Sequence, residues 1–386
     1  MTAEFTDGNR LQLLCNGTAF FPALVQAIDA ARSEVYLETY IFADDESGKI
    51  VAAALSRAAR RGVTVNLLVD GFGCKDGFDE IRGNLLSDQV RVLTYRPNIS
   101  PLTLRRNRLR RLHRKLAVID ARVAFIGGIN IIDDINTPGQ KPPRYDYAVR
   151  VEGPLLVWME DEVRRLWNRT AWTGLRRRWR TLPPAAVERT PRGNQRAALV
   201  VRDNLSHRAD IEDAYLEAIG EAREEIIIAN AYFFPGVRFR RALLDATMRG
   251  VRVILLLQGR IEYALLHYAS RALYGQLLDA GVQIYEYHLS FMHAKVAVID
   301  GRWATVGSSN IDPFSLLLAR EANIVVDDRA FAQELHGNLR EHMESGSLVL
   351  AKSAWHQLPL LQRVLIWVSY GLARIVMGVA GFGGKV

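Results

Sequence analysis

Among its 386 residues the chain has only two cysteines, Cys15 and Cys74, and neither lies in a C-x-x-C pattern. That excludes a zinc ribbon and a disulfide framework, and it fits a reducing compartment. Long apolar runs are also missing. Hydrophobic residues make up 49% of the chain, yet no uninterrupted stretch reaches the roughly 18 residues of a membrane span, which excludes a multi-span protein. The opening residues, Met1 to Gly8, lack the charged start and apolar centre of a secretory signal, so a location on the cytoplasmic side is expected. Lysine is scarce, with 7 residues against 43 arginines. What is abundant is positive charge: the formal net charge is +8. It points to an anionic partner, whether nucleic acid, an anionic membrane or a phosphate substrate, and does not choose among them.

A length of this kind corresponds to roughly two and a half domains, and the chain repeats itself. Residues 27–37 read as a helix end running into a strand, 48–61 as a helix, and 63–70 as a buried strand entered through Arg61-Gly62. The second half follows the same plan at 218–229, 238–249 and 251–257, the last strand entered through Arg249-Gly250. Strands alternating with helices, and continuously apolar, predict two homologous α/β halves with mostly parallel sheets. Residues 181–194, rich in Arg and Pro and without apolar periodicity, form the expected linker between a first half at 1–180 and a second at 195–350.

Each half also carries H-x-K-x4-D followed by a turn ending in asparagine: His113, Lys115, Asp120, Gly128 and Asn130, then His293, Lys295, Asp300, Ser308 and Asn310. With 8 His and 7 Lys in the whole chain, chance duplication of this pattern has odds below about one in ten thousand. A histidine and a lysine two apart on a strand share a face. Lysine charge together with the Asn amide, the Ser308 hydroxyl and turn N–H groups suits the non-bridging oxygens of a phosphodiester as charge builds in the transition state. Histidine is the side chain whose two protonation states are both accessible near neutral pH.

On these motifs the sequence resembles the phospholipase D superfamily, over nearly its whole length. The resemblance implies a phospholipase D-like fold with both motifs meeting in one active site at the pseudo-twofold interface, and catalysis with no cofactor and no metal. It implies a covalent phosphohistidine, with His113 as nucleophile and His293 as general acid, then base; the reverse order stays open. It further implies that an acidic residue some thirty positions after each histidine orients the ring, and the matching residues are Asp146 and Glu321. Asp120 and Asp300 are expected to act structurally.

LETYIF at 37–42, VTVNLLVDGFG at 63–73, IGGINIIDD at 126–134, RYDYAVRVEGP at 144–154 and GSSNIDPFS at 307–315 resemble, within that superfamily, the short peripheral bacterial cardiolipin synthases. The implied reaction passes a phosphatidyl group from one phospholipid, phosphatidylglycerol, to a hydroxyl of another. A phospholipase D hydrolase, a nuclease-type phosphodiesterase and a non-enzymatic anion-binding module remain alternatives, with nucleic acid the less expected partner. Attachment to the cytoplasmic side of the cell membrane is expected from three stretches. Residues 101–115 hold six arginines among leucines, 172–180 set arginines between tryptophans, and 358–384 form an apolar helix inside the tail 351–386, with Arg363, Tyr370 and Arg374 on one narrow face.

Overall fold

In the first half the strands Glu34–Thr39, Thr64–Asp70 and Arg91–Tyr95 lie side by side and parallel. In the second, Glu225–Asn230, Arg252–Gln258 and Gln283–Tyr287 repeat that arrangement. Their apolar runs are continuous because helices and the opposite face of the core cover both sides. Helices Glu46–Arg60 and Val237–Met248 make the first crossover of each half. Each ends at a glycine with φ of +88°, Gly62 or Gly250, the left-handed position that closes a helix without a Cβ penalty. The structure, a computed structural model, describes residues 4–97, 110–181, 187, 189–203, 206–262, 264–312 and 319–377.

The expected mostly parallel pairing holds within those triplets, and the sheet as a whole is mixed. Lys115–Ile119 and Val123–Gly127 are antiparallel, as are Lys295–Ile299 and Trp303–Gly307. Three residues join the strands of each pair, too few for the crossover that parallel strands need. The turns require positive φ, found at Asp120 (52°) and Ala121 (50°) and at Asp300 (51°) and Gly301 (58°). There the motif aspartates work structurally: Asp120 accepts from the backbone N–H groups of Arg32, Ser33 and Glu34, and Asp300 from those of Arg223, Glu224 and Glu225.

The halves share one sheet. Thr6–Cys15 pairs antiparallel with Tyr147–Glu152 on one side and Gln195–Arg202 on the other, and the latter pairs with Ala319–Asp327. The result is a 16-stranded sheet with a common core, in which Met159 and Trp167 from the first half cluster with Val296, Leu335 and Leu339 from the second. Outer cores lie separately on the opposite face of each half. Of the expected linker, residues 182–186 and 188 fall outside the described residues.

The helix Leu360–Met377 follows the second half, and 378–384 of the expected apolar segment lie outside the described residues. It packs through Ile366, Ser369 and Ala373, which are buried, and through a Tyr370 ring set edge-on to Phe234 at 5.9 Å. Its apolar residues turn outward: Leu361 is 81% exposed, Trp367 60% and Ile375 64%. Among the described residues no helix is long and apolar enough to cross a membrane.

Candidate active site

Two short parallel pairings bring the motifs together. Arg111–Leu112, just before the first motif histidine, pairs with Ala319–Arg320, just before Glu321. Phe291–Met292, just before the second, pairs with Arg144–Tyr145, just before Asp146. The N–H of His113 therefore donates to the carbonyl of Arg320, and that of His293 to the carbonyl of Tyr145. Each histidine is thus placed against the acid of the opposite half. His113 Nδ1 lies 2.9 Å from Glu321 Oε1, and His293 Nδ1 lies 2.7 Å from Asp146 Oδ2. With Nδ1–H donated to a carboxylate, Nε2 keeps its lone pair for substrate.

The two acids are held differently. Ser308 donates to Glu321 Oε2 at 2.5 Å. Its counterpart Gly128 has no side chain, and a Cβ there would stand 2.3 Å from Asp146 Oδ1. The Tyr147 N–H donates to that oxygen at 2.8 Å. A longer acid with a serine behind it in one dyad answers to a shorter acid with a glycine in the other.

Both lysines are buried and reach back to their own motif histidine: Lys115 Nζ donates to the His113 carbonyl at 2.5 Å, and Lys295 Nζ to the His293 carbonyl. Lys295 Nζ also lies 3.8 Å from Asp146 Oδ2. Burial pushes Lys115 down to about 7, with Glu321 opposing and Lys295 adding to the fall. Burial likewise pushes Lys295 down to about 8 and lifts the Asp146 carboxyl to about 6 against the pull of Lys295. His113 is lowered by burial, with Glu321 opposing. His293 is lowered strongly, by burial and then by Lys295, Lys115 and Arg144. An arriving phosphodiester anion favours the charged form of every one of these cations. Asn130 is buried and its Oδ1 accepts the Ile41 N–H at 3.1 Å; Asn310 is buried too, and its Oδ1 has no hydrogen-bond partner among the described residues.

Three expectations need correction. Ser308 is fully buried and its hydroxyl is committed to Glu321, so it positions that acid and is not a phosphate ligand. Arg114, counted within the basic stretch 101–115, is buried against Glu38 and Glu162 and is not a surface cation; 101–109 lie outside the described residues. In the Arg/Trp stretch, Trp179 is half-buried, and its carbonyl accepts from the Trp167 indole at 2.8 Å. Trp172 alone of the two tryptophans is exposed, with Arg177 over its ring at 5.8 Å.

Residues outside the motifs also touch the site. The Tyr40 ring lies edge-on to His113 at 4.9 Å and 5.6 Å from Lys115 Nζ. Its repeat partner Tyr232 donates to Glu262, whose carboxyl is raised by burial and counteracted by Arg144 and Lys295. Aligning TYIF with AYFF across the repeat would have exposed this pair. Asp70 is buried and accepts the Leu112 N–H at 2.8 Å, which fixes the approach to His113. Among the described residues no group of three or more His, Cys, Asp or Glu is arranged to hold a metal.

Comparison with known proteins gives the family. A family profile described as "Cardiolipin synthase, PLD-like domain" matches residues 24–141 and 215–343. Cardiolipin synthase B of Escherichia coli is 43% identical over 93% of this chain and 87% of its own. That of Salmonella typhi is 45% identical over 88% and 82%. The major cardiolipin synthase of Bacillus subtilis is 29% identical over 95% and 74%. Among solved structures, a phosphatidylserine synthase from Haemophilus influenzae superposes with a TM-score of 0.69 at 14% identity, covering 94% of this chain and 93% of the other; that likeness speaks for the fold alone.

Proposed function

The chain belongs to the cardiolipin synthase family with phospholipase D-like domains, and from that premise we propose that it is a phosphatidyltransferase that makes cardiolipin from phosphatidylglycerol. The observation that carries this reading is the crossed pair of imidazole–carboxylate contacts, His113 with Glu321 and His293 with Asp146. In the first step His113 Nε2 attacks phosphorus, the N–P bond forms and the P–O bond to the headgroup glycerol breaks, while His293 gives that oxygen its proton. In the second, His293 takes the proton from a hydroxyl of another phosphatidylglycerol, whose oxygen bonds to phosphorus as the N–P bond breaks. Lys115, Lys295, Asn130 and Asn310 serve the non-bridging oxygens. The reverse order has one observation in its favour, the stronger depression of His293, which favours a neutral ring there.

On this reading the chain divides into halves at 1–180 and 195–350, a linker at 181–194 and a membrane-contact tail at 351–386. The occupant proposed for the outward face of Leu360–Met377 is the surface of an anionic bilayer on the cytoplasmic side, since an exposed row of Leu, Val, Ile and Trp beside arginines is what an interfacial helix presents. Exposed Trp172 and Arg177 offer a second contact of the same chemistry.

The test is incubation with vesicles of headgroup-labelled phosphatidylglycerol and identification of products by mass. Cardiolipin with released glycerol supports the synthase. Phosphatidic acid with glycerol makes the protein a hydrolase, and cleavage of a nucleotide diester without lipid turnover overturns both lipid readings.

A further inference from the structure

The repeat and the strand register match five places around the two dyads. Three residues before each motif histidine stand Arg110 and Ser290; two before, Arg111 and Phe291; and before each orienting acid, Arg320 and Tyr145. Arg202 lies opposite Glu321. The matching place beside Asp146 is held by Asn16, which follows Cys15 opposite Tyr147 and accepts the Asp146 N–H. Arg96 follows Tyr95 at the end of one parallel triplet, and His288 follows Tyr287 at the end of the other. Each of these places holds arginine on the His113 side and serine, phenylalanine, tyrosine, asparagine or histidine on the other. The scaffold is shared, so it does not explain the charge.

Nor is the charge neutralised locally. Among the described residues, none of Arg96, Arg110, Arg202, Arg208 and Arg320 forms an ion pair with a carboxylate. Arg202 and Arg320 are 3% and 7% exposed; Arg202 gives one Nη to the Ala319 carbonyl, and among the described residues the buried Nε of each has no hydrogen-bond partner. Burial holds Arg202 down to about 10, where Arg110 and Arg320 oppose its charge and Glu321 and Asp203 favour it. Arg110 is lowered by burial and then by Arg96, Arg208 and Arg320. Glu321, opposite Arg202 in the register, is already committed to His113 and Ser308. Buried guanidinium donors left unpaired among like charges are costly unless an anion completes them.

We infer that Arg96, Arg110, Arg202, Arg208 and Arg320 form a second phosphodiester site, which holds the intact phosphate of the acceptor lipid while its headgroup hydroxyl reaches the phosphorus on the catalytic histidine. The inference rests on the transferase reading, because that reaction brings two phosphodiesters to one site and consumes only one. The reacting phosphate is served by the two motif lysines. The other is tied to the attacking hydroxyl by a three-carbon glycerol, which spans roughly 5 Å, so it must sit immediately beside the dyads. The cluster does so through Arg202, which stands directly across the antiparallel strand pair from Glu321 and so on the same face of the sheet. Guanidinium groups match phosphate oxygens in pairs, which a lysine does not.

The experiment compares two reactions of the whole protein on the same phosphatidylglycerol vesicles: cardiolipin formation, and exchange of the lipid headgroup with free labelled glycerol. Both pass through the phosphohistidine, but exchange needs no second phosphate. Arg110 is half-buried and Arg208 exposed, so Arg110→Gln with Arg208→Gln can be made without opening the core. The expected result is a fall of about tenfold in the ratio of cardiolipin formation to glycerol exchange, seen as a higher requirement for acceptor lipid. Arg110→Lys with Arg208→Lys recovers part of that loss. A parallel fall in both reactions assigns the cluster to the donor phosphate or to the fold, and an unchanged ratio removes its role; either overturns the inference. Failure of the underlying function is read separately, from unaltered protein that exchanges or hydrolyses phosphatidylglycerol and forms no cardiolipin.

Discussion

The His113–Glu321 and His293–Asp146 dyads are built from equivalent pieces of a repeat, and they differ in how the acid is braced and in what surrounds it. One uses a glutamate steadied by the Ser308 hydroxyl; the other uses an aspartate fitted into the space that Gly128 leaves. Arginines crowd the first, while the second has Glu262 and Asp146 to balance Arg144 and Lys295. A repeat that needed only two equal imidazoles would have no use for these differences. On the proposed mechanism they answer to two unequal tasks, attack on phosphorus at one ring and proton transfer at the other.

The comparison breaks most severely if either ring is dispensable. His113→Ala and His293→Ala should each lower cardiolipin formation by at least about a thousandfold, and the double variant should be little worse than either single one. Product assays on phosphatidylglycerol vesicles read this, and additive losses would mean that the rings do not act on one phosphodiester. Next in size is the brace. Gly128→Ala pushes a methyl group into the Asp146 carboxylate and should cost about a hundredfold in kcat, as a displaced catalytic group does. Ser308→Gly, which makes the second half resemble the first, removes one charge-assisted hydrogen bond and should cost about tenfold. If the two variants cost the same, the dyads are not braced as described.

A smaller effect separates the lysines from the arginines. Burial holds Lys115 down to about 7 and Lys295 to about 8, so both lose charge as pH rises through that range. Binding the phosphodiester must then return the protons, and kcat/KM should fall between pH 7 and 9, by up to about tenfold per unit for each lysine. Arginine keeps its charge there, so the ratio of cardiolipin formation to glycerol exchange should stay level over the same range. A flat kcat/KM profile contradicts the lysine assignment. The least effect on chemistry belongs to the second half's added helix. Leu361→Glu with Leu365→Glu, both exposed, should release the protein from anionic vesicles in flotation assays by about tenfold and leave turnover of detergent-dispersed lipid within about twofold. A variant that floats as before removes this face from the membrane contact.

Local pattern carried much of this into the sequence. The H-x-K-x4-D spacing follows from strand, tight turn and strand, so the motif and the two-half plan were legible, as was the structural place of Asp120 and Asp300. The mixed pairing was missed because apolar runs report burial on both faces and not strand direction; the three-residue turn, and not the hydrophobicity, decides it. Crossed pairing is a matter of contacts 208 and 147 residues apart, which one sequence does not display. Arg114 and Ser308 were misjudged for the same reason. Composition makes arginine a surface residue and serine after a turn a phosphate ligand until Glu38, Glu162 and Glu321 are seen to claim them. The arginine asymmetry needed the register of Arg202 with Glu321 before it meant anything.

The central claim is that two histidines from opposite halves act in turn on one phosphorus, and trapping the covalent intermediate tests it most directly. Protein mixed with phosphatidylglycerol, quenched within a turnover and digested, should carry one phosphatidyl group per chain on the peptide containing His113. The His293→Ala variant should retain that adduct longer, because nothing activates the acceptor. An adduct on the His293 peptide reverses the order of the two steps. Adducts on both peptides, or cardiolipin formed with none on either, would contradict the account.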